Sequence, residues 1–425
     1  MLACLALSAC AGGSPRPAVS ASAARAALTV ASPADLGTVT IGLLMPPLEG
    51  EGSEFRDVAE GAAVAAYRFG LGGLTIRFAV ALDNGTSAGA ASALRSLLDN
   101  AEVAAVIVFS SGPHLDSAWD EAALSEVSVL VPYDRAATGH SSVWLTGPSR
   151  DEVDAQLATA LAQGAVRSPF VVTSQVSGVT LGQAAQTVTW ENPAAGADPI
   201  PTSCSGLVSA TDCLADRAVQ ALQVGQADSV VIGAPASAQA QLAVALHNRL
   251  GQNQIPIFLS PESLTPTFGW GLTSSGATNG LYTTVGPDNG DYLAMAGSSG
   301  RYAATYFDAL RLAAGSSSVR NVFGDESFAT VAQSADIASH DAVVAVVRAA
   351  EAAGSTFAPA VREVLGGLGL DGGDGLAGAA LDFRHETALP ADGVVTLHAS
   401  TSNPGLRPPP ANPTGAPALF WFAVR

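Results

Sequence analysis

The sequence predicts an α/β protein built from two doubly wound, parallel-sheet lobes. Three observations carry this. Short, nearly continuous apolar runs alternate with stretches of about 10–18 residues whose apolar positions recur at helical spacing, the signature of βαβ units. The alternation runs through once to about residue 146 and starts again near residue 150. The chain has 425 residues, 48% of them hydrophobic, enough for more than one core. No apolar run reaches the ~18 residues of a membrane-spanning helix.

The elements follow in order. TVTIGLLMP reads as a buried strand stopped by proline. SEFRDVAEGAAVAAYRFG reads as a helix, LTIRFAVALD as a strand and SAGAASALRSLLDN as a helix. AEVAAVIVF is a strand, SAWDEAALSE a helix and VSVLVPYD a strand, and SSVWLTG closes the first set as an extended stretch. Strands this continuously apolar are covered on both faces. In the second set RDEVDAQLATALAQG is a helix, SPFVVTSQ a strand, TLGQAAQTV a helix, LADRAVQALQVG a helix, ADSVVIGAP a strand, SAQAQLAVALHNRLG a helix, and IPIFLSP and GLYTTVGP strands. Two helices follow, RYAATYFDALRLA and SADIASHDAVVAVVRAAEAAG. GAALDF, GVVTLHAS and ALFWFAV are strand-like segments around the proline-rich NPGLRPPPANPTGAP. Two such halves leave a cleft between them, with ligand sites at the carboxyl ends of the strands.

Several chemistries are excluded or left without support. The formal charge is −18, from 37 acids against 19 bases, and every base is Arg. An acidic surface argues against nucleic acid and against a polybasic membrane patch. After the first strand stands PPLEGEGSEF, not the glycine fingerprint of dinucleotide binding. No G-x-S-x-G supports a hydrolase, so no catalytic residue is assigned. His385 and His398 bracket ETALPADGVVTL but lack a third ligand, and DGGDG at 371–375 lacks the spacing of a calcium loop. No metal and no cofactor is expected. His340 and Asp341 fall in a helix, with Asp341 expected to pack it.

The amino terminus, MLACLALSACAGGSPRP, resembles a bacterial lipobox: Leu7, two small residues and Cys10, whose thiol would carry the lipid. Nine uncharged residues precede Cys10, where a signal peptide has a basic region. Either the start lies upstream of Met1 or the segment is a plain Ala-rich terminus. Residues 1–10 are thus expected as lipoprotein signal and 11–36 as a flexible linker. Cys204 and Cys213 stand apart from the other two cysteines, with eight residues between them. A local disulfide in an oxidising compartment is expected, because zinc would need further ligands.

The order of IGLLMPPLEGEGSEFRDVAEGAAVAAYRF, ALDNGTSAGAASALRSLLDNAEVAAVIVFSSG, VSVLVPYD, ADSVVIGAPASAQAQLAVALHNRLGQNQIPIFLSP and ASHDAVVAVVRAAEAAG with the late GAALDF resembles the type I periplasmic substrate-binding proteins, in their leucine/isoleucine/valine-binding branch. The resemblance implies two lobes joined by three crossings, near Trp144–Pro148, near Tyr282–Pro287 and after Gly378. Residues 37–146 and 287–378 would form the first lobe, and 147–286 and 379–425 the second. It implies ligand contacts from Gly52, Ser110, Ser111, Tyr133, Asp134 and Arg135 in the first lobe, and from loops around Ser177 and Ala236–Ser237 in the second. The family's amino-acid readers are mostly missing. Tyr133-Asp134-Arg135 replaces a small-residue loop, the aromatic expected around Ser177 is absent, and the acid that meets a ligand ammonium would fall near Ala238. Asp134 and Arg135 are expected either to meet a polar ligand or to pair with each other, and free leucine and valine to bind poorly.

Two functions follow as expectations. The first is an extracytoplasmic, lipid-anchored protein, in the periplasm or on the outer surface, that captures a small polar ligand (an amino acid, amide or related molecule) for an ABC permease. The second is a cell-envelope regulator or sensor of the same fold, such as an activator of a wall synthase.

Overall fold

The computed structural model describes residues 25–32, 35–49, 52–136, 138–175, 177–251, 254–408 and 418–423. Its elements, in chain order, are β1 (Thr38–Met45), α1 (Gly61–Leu71), β2 (Thr75–Leu82), α2 (Ser87–Leu98), β3 (Val103–Val108), α3 (Asp116–Ala123), β4 (Ser128–Val131) and β5 (Val143–Leu145). Then come α4 (Arg150–Gln163), β6 (Pro169–Thr173), β7 (Gln186–Thr189), α5 (Ala210–Gln223), β8 (Ser229–Gly233), α6 (Ala236–Leu250), β9 (Pro256–Leu259), α7 (Pro266–Ser274) and β10 (Leu281–Pro287). The chain ends with α8 (Arg301–Ala314), α9 (Phe328–Val331), α10 (Ile337–Ala353), α11 (Ala358–Leu365), β11 (Gly369–Leu370), β12 (Leu381–Asp382), β13 (Val394–Ser400) and β14 (Phe420–Ala423).

The first lobe is a parallel five-stranded sheet in the order β2-β1-β3-β4-β5. The period-two geometry of a strand sends alternate side chains to opposite faces. Ile41, Leu43 and Met45 of β1 therefore pack with α1, α8 and α10, while Leu44 packs with α2 and α3. This explains why the strands read as unbroken apolar runs. The second lobe is a seven-stranded sheet, β14-β13-β10-β9-β8-β6-β7, parallel except at β13 and β14. Phe170, Val172, Val230 and Ile232 face α5 and α6; Val171, Val231 and Phe258 face α4.

Three passages join the lobes. The first, between β5 and α4, runs so close to β4 that a Cβ on Gly147 would lie 2.1 Å from the Pro132 carbonyl oxygen. The second and third lie side by side, with the Asp288 amide donating to the Gly393 carbonyl at 2.7 Å.

Four expectations need correction. Residues 379–387, placed in the second lobe, belong to the first: β12 pairs with β11, Thr387 bridges to Leu145, and Leu381 and Phe383 are buried in the first-lobe core. The third passage therefore lies beyond them. TLGQAAQTV is not a helix; Gln186–Thr189 pairs in parallel with β6. Thr187, Val188 and Thr189 are β-branched, and with Val188 buried and Thr187 and Thr189 on the rim they suit an edge strand. α7, α9 and α11 are additional helices. Finally, residues 25–32 are not a free spacer. Val30 is buried in the first-lobe core, the Leu28 carbonyl accepts from Arg68 Nε at 3.0 Å, and the Ala31 carbonyl accepts from Arg348 at 3.1 Å.

The disulfide between Cys204 and Cys213 is formed, with the two Cα atoms 4.5 Å apart. It ties the loop before α5 to that helix's first turn. Cys10 lies outside the described residues.

Candidate functional site

The carboxyl ends of β1, β3 and β4 converge where the sheet order reverses. There Gly52, Ser110 and Ser111 come together. Gly52 has φ +76°, and a Cβ on it would sit 3.0 Å from the Ser111 carbonyl oxygen and 3.2 Å from Ser110 Oγ, so glycine is required twice over. Ser110 is buried and engaged: its Oγ lies 3.3 Å from His114 Nε2, which lies 2.8 Å from Asp83 Oδ2. Burial pushes the Asp83 carboxyl up, but hydrogen bonds from His114 and Ser110 outweigh it and leave the pKa below its usual value. One ring nitrogen meets both Ser110 and Asp83, whereas a nucleophilic relay needs two.

Asp134 and Arg135 do not pair with each other. Asp134 turns back into its own lobe and accepts from the amides of Gly112, at 3.0 Å, and Ala136, at 2.8 Å. Arg135 crosses to the second lobe, where its Nη2 donates to Glu262. Both side chains of this ion pair are buried. Glu262 also accepts from Ser260 Oγ. No carboxylate stands near Ala238, as expected, but the second lobe does bring one to the cleft from another loop. The acid is Glu262, just beyond β9, not a residue near Ala238. The signal in the sequence was a Pro-Glu pair following a buried strand, IPIFLSPES.

Two more contacts cross between the lobes. The Ala236 amide, at the start of α6, donates to Glu54 Oε1 at 3.4 Å, and the Arg150 amide, at the start of α4, donates to the Arg135 carbonyl at 3.1 Å. Ser237, next to Ala236, is exposed; Ser177 is buried, its amide donating to Ser174 Oγ at 3.0 Å.

Beside these contacts lies a cavity of about 250 Å³ between the lobes. The first lobe contributes Phe55, Tyr133, Arg135 and Asp336; the second contributes Glu262, Leu264, Trp270 and Trp421. Of the expected contact residues only Tyr133 and Arg135 line it. Gly52, Ser110, Ser111, Asp134, Ser177 and Ser237 do not. Tyr133 stacks on Phe55 with ring centroids 4.8 Å apart and donates its hydroxyl to the Asp336 carboxylate at 3.0 Å. Asp336 caps α10 by accepting from the Ser339 amide at 2.9 Å. Burial pushes its pKa up to about 6 against these hydrogen bonds. Arg407, from the segment after β13, grips Asp291 at 2.9–3.1 Å and the carbonyls of Gln333 and Ala335 at 2.8 and 2.6 Å. None of Asp336, Arg407, Trp270 and Trp421 is marked by a motif.

Away from the cavity, His340 and Asp341 belong to a buried network. Asp341 accepts from the amides of Ala377 and Gly378, both at 2.8 Å, and His340 links it to Arg68. His398 lies 2.9 Å from Thr283 Oγ1. Among the described residues no group of three or more His, Cys, Asp or Glu side chains could hold a metal ion.

No family model matches the chain, and no curated protein matches it. Solved structures do. A type 1 periplasmic binding protein from Bordetella pertussis Tohama I superimposes with a TM-score of 0.61 at 16% identity, covering 87% of this chain and 98% of that one. A leucine-binding protein from Thermotoga maritima gives 0.60 at 15%, covering 85% and 95%. A solute-binding protein of an ABC transporter from R. palustris, in complex with 4-hydroxybenzoate, gives 0.59 at 11%, covering 91% and 97%. The neighbours, the two sheets and the three passages agree: the chain has the fold of the type I periplasmic binding proteins.

Proposed function

We propose that this protein is an extracytoplasmic solute-binding protein that captures a small molecule between its lobes and presents it to an ABC permease. The observation that carries the proposal is the cavity lined from both lobes by aromatic, apolar and charged side chains. Ligand sites of this kind are concave, largely apolar and fixed by a few polar groups. A ligand touching both lobes at once favours the closed arrangement through differential affinity, which a permease could read. The structural neighbours, among them a leucine-binding protein and a solute-binding protein in complex with 4-hydroxybenzoate, support a small-molecule ligand. The disulfide supports an oxidising compartment, and Cys10 is proposed as the lipid anchor.

A thermal-shift screen of the mature chain against amino acids, amides, short peptides and aromatic acids tests this. A ligand at 100 times its dissociation constant adds ~2.7 kcal/mol of stability. A panel in which nothing stabilises the protein counts against it.

The contacts across the cleft favour a second reading. Arg135 to Glu262 and the Ala236 amide to Glu54 close the lobes through the chain's own groups, as suits an envelope regulator whose closed form faces a protein partner. Cross-linking in native membranes separates the two: capture of permease subunits supports transport, capture of a wall-synthesis enzyme supports regulation.

A further inference from the structure

We propose that the cavity between the lobes takes an organic cation, an ammonium group on a ring-sized apolar body, and that the Asp336 carboxylate meets the ammonium. This rests on the solute-binding reading and names the class of ligand. Five charged side chains line the cavity: Arg135, Glu262, Asp291, Asp336 and Arg407. Two of the acids are matched, Glu262 by Arg135 and Asp291 by Arg407. Asp336 is left over. Its side-chain partners among the described residues are the Tyr133 hydroxyl and the amide and hydroxyl of Ser339, all neutral. The charge that the walls lack is therefore positive.

The carboxylate is the part of Asp336 that reaches the cavity. Its amide donates to the Val58 carbonyl at 3.1 Å, and its own carbonyl is packed against the start of α1, where a Cβ on Gly61 would lie 1.9 Å away. The residue is nonetheless only half-buried and lines the cavity, so its accessible atoms belong to the side chain. Ser339 bonds to Oδ1, while Oδ2 has only the Tyr133 hydroxyl, which lies 3.0 Å from both oxygens. An ionised carboxylate accepts at about four sites, so Oδ2 keeps room for a further donor. Burial pushes this carboxyl up to about 6, against hydrogen bonds from Ser339 and Tyr133 and the charge on Arg407. The ionised form is thus short of positive charge, and a cation beside it supplies that. Arg407 cannot turn to do so, being held on Asp291 and the carbonyls of Gln333 and Ala335. The rest of the wall suits the rest of such a ligand. Phe55, Tyr133, Trp270 and Trp421 line it, offering apolar surface and aromatic rings that attract cations. A cavity of ~150 Å³ holds benzene, so about 250 Å³ admits one ring with a substituent. The net charge of −18 draws cations towards the protein from a distance.

Benzylamine, benzyl alcohol and benzoate share one ring and differ in charge. The test is a calorimetric titration of each into the full mature chain at neutral pH. Benzylamine is expected to bind at least about tenfold more tightly than benzyl alcohol, the gain of a hydrogen bond between charged groups, and benzoate to bind most weakly. Asp336→Asn keeps a good cap for α10 and an acceptor for Tyr133, and removes only the charge. In this variant benzylamine is expected to lose at least about tenfold in affinity while benzyl alcohol is unchanged. That unchanged binding also shows that the variant is folded. Benzyl alcohol or benzoate binding as tightly as benzylamine in the wild type overturns the inference while leaving the cavity as a binding site. An advantage for benzylamine that survives Asp336→Asn assigns the cation to another group and overturns it too. No binding of the three at millimolar concentration, with leucine or another of the wider panel binding instead, also overturns the inference alone. No binding of any of these or of the wider panel overturns the solute-binding reading with it.

Discussion

Glu60 shows how one buried residue can set the pH response of a lobe. It sits just before α1, is 2% exposed, and accepts from the Val322 amide at 3.0 Å. Burial pushes its pKa up to about 8 from an ordinary 4.5. The folded state then holds a proton that the unfolded state releases, so stability falls as pH rises from about 4.5 to about 8. Glu60→Gln keeps the acceptor for Val322 and removes the titration. It is expected to be more stable than wild type at pH 8 by on the order of a few kcal/mol, and no more stable at pH 4. Urea unfolding across that range checks this. Arg135 and Glu262 give a second expectation. Glu262→Ala leaves a buried guanidinium unpaired and is expected to cost ~3–5 kcal/mol, while Arg135→Met/Glu262→Leu recovers most of that loss. Equal losses in the two variants would mean that the pair is hydrated and weak. At this scale the sequence was partly legible. Tyr133 and Arg135 could be marked as cleft residues because they follow a strand end. Their partners could not: Glu262 and Asp336 lie 127 and 203 residues away in the chain, and only the folded lobes bring them together.

Among the elements, the loop that carries the disulfide makes the most direct prediction. The Cys204–Cys213 bond spans a sequence separation of 9. Closing a loop of that size contributes on the order of 2–3 kcal/mol in the chain-entropy model. Cys204→Ser/Cys213→Ser is therefore expected to lower stability by about that amount, and adding reductant to the wild type to reproduce the loss. Equal urea midpoints for oxidised and reduced protein would contradict it. The regular elements show why most of the fold could be read in advance. Strands β1, β3 and β8 are buried on both faces and write themselves as apolar runs. β7 was misread because four residues at a sheet edge, with a single buried side chain, carry no period long enough to recognise. α7 and α11 are short helices with proline in the first turn, a position proline tolerates but one that reads as a loop.

For the whole molecule, the two parallel-sheet lobes followed from alternation, while the order of the strands and the cavity did not. The cavity is assembled from segments as distant as Phe55 and Trp421, and it lies beside the glycine–serine loops that the strand ends singled out. The docking of residues 25–32 on the first lobe was hidden for a related reason: a low-complexity stretch gives no sign that Val30 is buried. If Cys10 carries lipid, Cys10→Ser in the native host is expected to move the protein from the membrane to the soluble fraction, with loss of fatty-acid labelling. Retention of both would exclude Cys10 as the anchor. In the proposed function a small molecule is held between the two lobes. Hydrogen exchange, measured with and without a compound that raises the melting temperature, tests it most directly. The expected result is simultaneous protection of residues 52–58 and 132–136 in the first lobe and of 261–273 in the second. Protection confined to one lobe, or absent from both, would contradict it.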